Sequence, residues 1–388
     1  MTAIFPSADA LIRGAELETG HADWETEFTG SPFEALRVLV SDLHDHANLS
    51  EQGARRMYRK LHETLCARLN YIADLKRHPE IKDEEIEKPI FILGMPRSGT
   101  TFLHNLLAAD PANRAPRLFE MQVPAPKNPE PLARGLREQR CRESLAYQGM
   151  LDDDWLGVHP MGAERAEECP FIWELSLLSV NYPGFVNAPN YQNYLYAQKF
   201  TDIYREERTF LQYLQHREGR PRWILKTPIH IRFLREIVEV FPDAKFIHCH
   251  RDTTKIYPSI ANMVAILHSK YSAMPPPSRA VASDYDGTWA DALAFRAKAG
   301  MAERFVDVNF VEFQADPLTT ADRILRGLGM IVDPQGLRAM AAWLEEDRKR
   351  RALRSHHQYS LADAGLTVAD VDRMTGDYLK AFKVPLER

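Results

Sequence analysis

Cysteine is scarce in this chain. Cys66, Cys141, Cys169 and Cys249 are the four in 388 residues, and no two are close enough for a C-x-x-C metal or redox motif. So low a number suits a reducing compartment, and the expected location is cytoplasmic. Long apolar runs are also missing. None approaches the ~20 residues needed to span a bilayer, so no transmembrane segment is expected. The stretch Met1–Gly20 carries acidic residues and no sustained apolar core, which does not read as a signal peptide. The net charge of −5 gives no reason to expect a nucleic-acid partner, so any basic site must be local. No internal repeat is present. Hydrophobic residues make up 45% of the chain and charged residues 27%, which argues against long disorder.

What is present concentrates in one stretch, Ile90-Phe91-Ile92-Leu93-Gly94-Met95-Pro96-Arg97-Ser98-Gly99-Thr100-Thr101. The short apolar run to Leu93 suits a strand buried on both faces of a parallel sheet. Gly94 and Gly99 bracket a loop, and Phe102, Leu103, Leu106 and Leu107 follow at helical spacing. Strand, glycine-rich loop and helix together make an anion cradle, because backbone N–H groups and the positive end of the helix dipole point into the loop. The spacing is that of a Walker A loop, G-x-x-x-x-G-K-[ST], but Thr100 stands in the lysine's place and Thr101 in the hydroxyl slot. A basic residue comes three positions earlier, at Arg97. Such a loop should hold a phosphate-like group without being an ordinary NTPase.

Two further strand–turn–helix units follow. Arg222–Leu225 leads into Lys226-Thr227-Pro228 and a helix over 229–241. Ala244–His250 leads into Arg251-Asp252 and a helix near 256–267. This alternation predicts an α/β fold, P-loop-like and three-layered, with a central parallel sheet and helices on both faces. In such sheets ligands bind outside the carboxyl ends of the strands. Arg97, Lys226 and Arg251 each follow such an end, as expected of a site for a polyanion. Phe305–Val311 predicts another strand, with Asp316-Pro317 opening a helix to about 328.

Around this core, residues 1 to about 30 read as irregular, and 32–76 as two amphipathic helices broken at Asn48-Leu49-Ser50. Residues 1–86 form an expected helical N-terminal extension packed on the core, and 87–388 the α/β domain. That domain carries a helical insert at about 131–215 and a C-terminal segment at about 334–388. Pro124–Pro131 and Met274–Asp286 read as loops, the second as a flexible loop or lid. Asp152-Asp153-Asp154 reads as a solvated face or helix cap rather than a metal site, since consecutive acids diverge on a helix. The aromatics Tyr182, Phe185, Tyr191, Tyr194 and Tyr196 suit a ligand pocket or a core equally. The basic run Arg348–Arg351 with Arg354, His356, His357 and Tyr359 reads as a solvated stretch, with a ligand-phosphate contact as the sharper reading.

The segment Gly94-Met95-Pro96-Arg97-Ser98-Gly99-Thr100-Thr101 resembles the 5′-phosphosulfate loop of sulfotransferases that use 3′-phosphoadenylyl sulfate (PAPS), in particular bacterial members with a helical N-terminal extension. The resemblance covers roughly residues 88–330. It implies that Pro96 through Thr101 bind the donor. Arg251 and Ser259, eight apart, match the family's 3′-phosphate pair, and Lys226 matches the lysine after the second strand. Phe305–Pro317, with Phe310, matches the segment flanking the adenine. It further implies PAPS as donor, adenosine 3′,5′-bisphosphate as product, no metal, and a small-molecule, lipid or glycan acceptor.

Transfer to an alcohol needs a general base. The small-molecule branch places a histidine two residues after the lysine, where this chain has Pro228; His230 lies two further on. Branches with a glutamate base carry it about twenty residues after the loop arginine, which fits Glu120. Glu120 therefore ranks first, His230 second, and His159, Glu167 and Glu168 below them. The alternatives are a P-loop nucleotide-dependent kinase and a non-catalytic nucleotide-binding protein on the same fold. Against the kinase stand the missing loop lysine and a third strand ending in His250-Arg251 rather than an acid.

Overall fold

The computed structural model describes residues 5–125, 134–219, 222–274, 288–352 and 360–387. The chain divides into two compact units. One comprises Met1–Glu85, Pro116–Gly219 and Val264–Pro276. The other comprises Ile86–Ala115, Arg220–Met263 and Pro277–Arg388. The N-terminal extension and the insert thus fall in one helical unit, and the sheet falls in the other.

Among the described residues the sheet unit holds five parallel strands: β1 (Ile90–Gly94), β2 (Asn113–Arg114), β3 (Arg222–Lys226), β4 (Lys245–His250) and β5 (Phe305–Asn309). Their spatial order is β2-β3-β1-β4-β5. β1 is central and buried along its whole length, as its unbroken apolar run requires. One face of the sheet packs Ile90, Ile92, Ile224, Ile247 and Cys249 against Leu103, Leu106 and Leu107 of the helix Thr100–Leu107, and against Ile324, Leu325 and Met340. On the other face Phe91 meets Phe241 at 5.4 Å between ring centroids, and Phe246 stacks on Phe305 at 4.6 Å. The parallel sheet with helices around it is the expected α/β architecture.

Three details differ from the sequence reading. The strand expected over 305–311 ends at Asn309, and Phe310 already opens the helix Phe310–Ala315. The helix expected over 229–241 is a 3₁₀ turn, Pro228–Arg232, followed by the α-helix Leu234–Val240. The proline at its start and a tight i→i+3 bond from Phe233 N–H to the His230 carbonyl favour the narrower winding. β2, only two residues long, gave no periodic signal.

The helical unit contains a helix that the sequence reading took as irregular chain, Ala8–Thr19. The Ser7 hydroxyl accepts from Ala10 N–H at 3.3 Å at one end, and Gly20 closes the other at φ 74°. Its burial comes from Leu11, Ile12 and Ala15. The helices Phe33–Asp45 and Glu51–Arg77 follow, with Ser50 capping the second through Gly53 N–H at 3.0 Å, at the expected break. Arg68, buried in the long helix, donates to the carbonyls of Trp24, Gly30 and Leu175. Asp152, Asp153 and Asp154 are exposed at the start of the helix Asp153–Val158, with Asp152 in the N-cap position, as expected of a solvated face or helix cap; Asp152 and Asp154 also pair with the buried Lys270, at 2.8 and 2.7 Å. In the aromatic stretch Tyr182 and Tyr191 are wholly buried and packed edge to face, so these two serve the core, while Tyr196 is exposed. Residues 126–133, 275–287 and 353–359, which include most of both expected loops and the two adjacent histidines, lie outside the described residues. Arg348, just before them, pairs with Glu345 on an exposed helix face.

Candidate active site

The carboxyl ends of β1, β3 and β4 bring the sequence-predicted cations together. β1 ends at Gly94, whose φ is 137°; a Cβ there would stand 2.4 Å from the carbonyl oxygen of Cys249 on β4. Only glycine lets the chain leave the sheet so close to its neighbour. Arg97 takes the left-handed conformation at φ 67°, which is uncommon for a residue with a Cβ. Gly99, at φ 90°, caps the helix Thr100–Leu107, and Phe310 covers the position its side chain would fill. Ser98 Oγ donates to the Met95 carbonyl at 2.6 Å and braces the loop from within.

Around this loop stand three basic residues. Lys226, the last residue of β3, is fully buried and donates from Nζ to Thr101 Oγ1 at 3.1 Å. Arg97 Nε donates to Ser259 Oγ at 2.9 Å, which reaches the loop from the helix Thr253–Ser269. Arg251 Nη1 donates to the Arg97 carbonyl at 3.1 Å, and its guanidinium lies over the Phe310 ring at 3.9 Å. Arg97, Ser98, Gly99, Thr100, Thr101, Lys226, Arg251, Ser259 and Phe310 are thus one connected cluster. Pro96, between Met95 and Arg97, is part of the same loop.

His230 sits behind this cluster. It is fully buried, its ring edge-on to Phe91 at 5.0 Å. Burial, then the charge of Lys226, then His104 hold its imidazole well below the usual histidine range, so it stays neutral. Glu120 belongs to the helical unit. It is buried on the short helix Leu118–Gln122, and its Oε2 accepts from the Arg117 N–H at 2.8 Å. In the same unit His159 Nε2 lies 3.0 Å from the buried Glu167.

Sequence reasoning missed the support behind β4. His248 and His250 alternate with Cys249, so both project to one face, with rings 4.1 Å apart. His250 contacts Asp307 at 2.9 Å and the Tyr378 hydroxyl at 3.0 Å, and Arg296 clamps Asp307 through two bonds of 2.7 Å. The period-two pattern His-x-His was the available signal. Glu387 was missed too. It makes a two-pronged pair with Arg251, at 3.0 and 3.2 Å, from 136 positions away along the chain.

Among the described residues, side chains with the chemistry of metal ligands gather, with ligand atoms within 4.8 Å of one another, at places that include His248, His250 and Asp307 in the sheet unit, and Glu18, His62 and Cys66 in the helical unit. In the first, Arg296 already supplies a cation to Asp307. The second borders a cavity of about 330 Å³, whose lining includes the Lys60–Glu174 pair and Ser144.

Residues 89–334, which hold the whole loop and cation cluster, match the sulfotransferase family. The chain belongs to that family. Among known sulfotransferases it is 26% identical, over 312 residues, to the omega-hydroxy-beta-dihydromenaquinone-9 sulfotransferase Stf3 of Mycobacterium tuberculosis and of Mycobacterium bovis. Each alignment covers 76% of this chain and 75% of the relative. Of solved structures, sulfotransferase STF1 from Mycobacterium tuberculosis H37Rv is 28% identical with a TM-score of 0.76, covering 96% of this chain and 99% of its own. Sulfotransferase STF9 from Mycobacterium avium, 24% identical, shares the fold at a TM-score of 0.82 over 100% of this chain and 99% of its own. Among the described residues of this sulfotransferase, no helix is long and apolar enough to cross a membrane.

Proposed function

We propose that this sulfotransferase moves the sulfuryl group of PAPS to a hydroxyl of a small-molecule or lipid acceptor. The observation that carries the reading is the chain of contacts Arg251–Arg97–Ser259, which ties the loop after β1 to the end of β4. A nucleotide with phosphate at both its 3′ and 5′ positions needs two such anion-binding groups, held at a fixed separation. The donor set suits it: cations and hydroxyls at the ends of β1, β3 and β4, Arg251 rather than an acid directly after His250, and Thr100 in place of the lysine an NTPase uses. Arg97, the loop amides and Lys226 would hold the 5′-phosphosulfate, Arg251 and Ser259 the 3′-phosphate, and Phe310 would flank the adenine. PAPS supplies the sulfuryl group and leaves as adenosine 3′,5′-bisphosphate.

The chain's own residues then have separable tasks. Lys226, desolvated at the end of β3, would offer its positive charge to the phosphate that leaves. The loop N–H groups share that load through the helix dipole. Glu120 accepts the acceptor's hydroxyl proton as its oxygen bonds to sulfur. Of the two base candidates, Glu120 has the spacing from the loop arginine Arg97 on its side. His230 is kept neutral by its surroundings and so resists taking up a proton. The acceptor named for Stf3 carries a hydroxyl at the end of a menaquinone chain, which supports a lipid-like alcohol here.

Calorimetry tests the donor. Adenosine 3′,5′-bisphosphate should bind more tightly than ADP without added Mg²⁺, and Arg251→Ala should weaken it about 10- to 100-fold, the value of one or two charge-assisted hydrogen bonds. Equal affinity for the two nucleotides, or Mg²⁺-dependent ATP binding, would refute the reading. Turnover is tested with labelled PAPS and ω-hydroxylated prenyl quinones alongside a panel of simpler alcohols.

A further inference from the structure

The guanidinium of Arg251 is already engaged on the edge that suits an anion. Its Nε and Nη2 donate to the two carboxylate oxygens of Glu387, at 3.0 and 3.2 Å. Nη1 is turned the other way, to the Arg97 carbonyl, and the flat face rests on Phe310. A carboxylate and a phosphate offer paired oxygens of similar spacing, so this two-donor edge takes one or the other.

Glu387 is not loosely placed. Its backbone N–H donates to Asp252 Oδ2 at 2.8 Å, while Asp252 Oδ1 accepts from Thr254 N–H and Oγ1 at the start of the helix Thr253–Ser269. Val384 is buried, and Tyr378 and Phe382 pack against His250. The segment that carries Glu387 is therefore anchored on β4, one residue from the guanidinium it engages. Yet the pair itself is open to water, with the Arg251 side chain 22% and the Glu387 side chain 20% exposed. A pair that water still reaches can be exchanged for another anion.

We infer that Glu387 is an affinity-setting residue of the nucleotide site: its carboxylate stands in for the 3′-phosphate on Arg251 and must yield when nucleotide binds. This rests on the reading of Arg251 as a 3′-phosphate group. The carboxylate lowers apparent affinity by the fraction of molecules in which it holds Arg251. It also returns to the guanidinium as the bisphosphate departs, which speeds release of a product that would otherwise be held by several cations.

The test uses the full chain and two ligands, adenosine 3′,5′-bisphosphate and adenosine 5′-monophosphate. Glu387→Gln should bind the bisphosphate about tenfold more tightly, as expected if the carboxylate holds Arg251 nine-tenths of the time, with the monophosphate unchanged. Bisphosphate affinity that is unchanged or weaker in Glu387→Gln, while Arg251→Ala still loses bisphosphate selectively, would overturn the inference and leave the 3′-phosphate reading intact. If Arg251→Ala does not alter the preference for bisphosphate over monophosphate, the reading falls and the inference with it. Hydrogen exchange on the unaltered protein gives a second readout. Bisphosphate should speed exchange of the Glu387 amide, whose bond to Asp252 is released, and monophosphate should not; equal protection with both ligands counts against displacement.

Discussion

Lys226 Nζ donates to Thr101 Oγ1 at 3.1 Å, joining the end of β3 to the first turn of the helix that follows the loop. The ammonium is fully buried, so its charge is little weakened by water. Lys226→Met should fold, because the methylene stem is kept, and should lose about 10²–10³ in kcat, as for other preorganised charge-stabilising groups. Circular dichroism and initial rates together check this. Wild-type turnover in a folded Lys226→Met protein would remove Lys226 from the chemistry.

The two loop glycines should not tolerate alanine equally. At Gly99 the new methyl would meet the Phe310 ring at 2.9 Å, a side chain that can shift, and φ is 90°. A loss of about 1–3 kcal/mol is expected from backbone strain. At Gly94 the obstacle is the Cys249 carbonyl at 2.4 Å, which is sheet backbone and cannot move without breaking the β1–β4 pairing. Gly94→Ala should therefore cost more than Gly99→Ala in urea unfolding. The reverse order would mean that the sheet yields more readily than the loop.

In the helical unit Glu207 is wholly buried, with Trp173 Nε1 donating to its Oε2 at 2.7 Å. Burial lifts its carboxyl to about 7, against the opposing hydrogen bonds of Trp173 and Cys169. The folded chain thus holds this proton more tightly than the unfolded chain, where the carboxyl titrates near 4.5. Its contribution to stability is fully present below about pH 4.5 and is lost as the pH rises through 7, by about 3 kcal/mol in all. Glu207→Gln lacks that dependence. Its stability relative to wild type should rise by that amount between pH 4.5 and 8, measured by chemical denaturation. A difference that stays constant with pH would show that Glu207 titrates normally.

Glu120→Gln separates catalysis from folding. The amide oxygen can still accept from the Arg117 N–H, so the start of the helix Leu118–Gln122 keeps its bond and stability should change by less than about 1 kcal/mol. As the proposed base, Glu120 should on replacement lower kcat by about 10²–10⁴ with bisphosphate affinity unchanged. Full activity in this variant would transfer the role of base elsewhere.

The elements that build the sheet were legible because buried parallel strands are short apolar runs, and β1, β3 and β4 each read so. Cations after three such runs could be placed at one edge from the sequence alone. β2 could not, since two residues carry no period. The helix Ala8–Thr19 had a serine cap and a glycine stop, but its few apolar positions are mostly small or isolated, and the acids between them masked the stripe. Glu387 was invisible for a different reason. Pairing across 136 positions depends on how the chain folds back, which no local pattern encodes. The insert's aromatics were ambiguous because a tyrosine offers the same ring to a core as to a ligand; the Tyr191 hydroxyl spends its bonds on the carbonyls of Leu177 and Ser179.

All four cysteines are buried thiols outside any disulfide, and burial pushes the Cys141 and Cys249 thiols up to about 12. A thiol so protected reacts only when the chain around it opens. Cys141 and Cys169 lie in the helical unit and Cys249 in the central sheet. The native protein therefore carries its own clocks. The rate at which a thiol reagent reaches each site times the opening of that unit separately, without any label having to be engineered in.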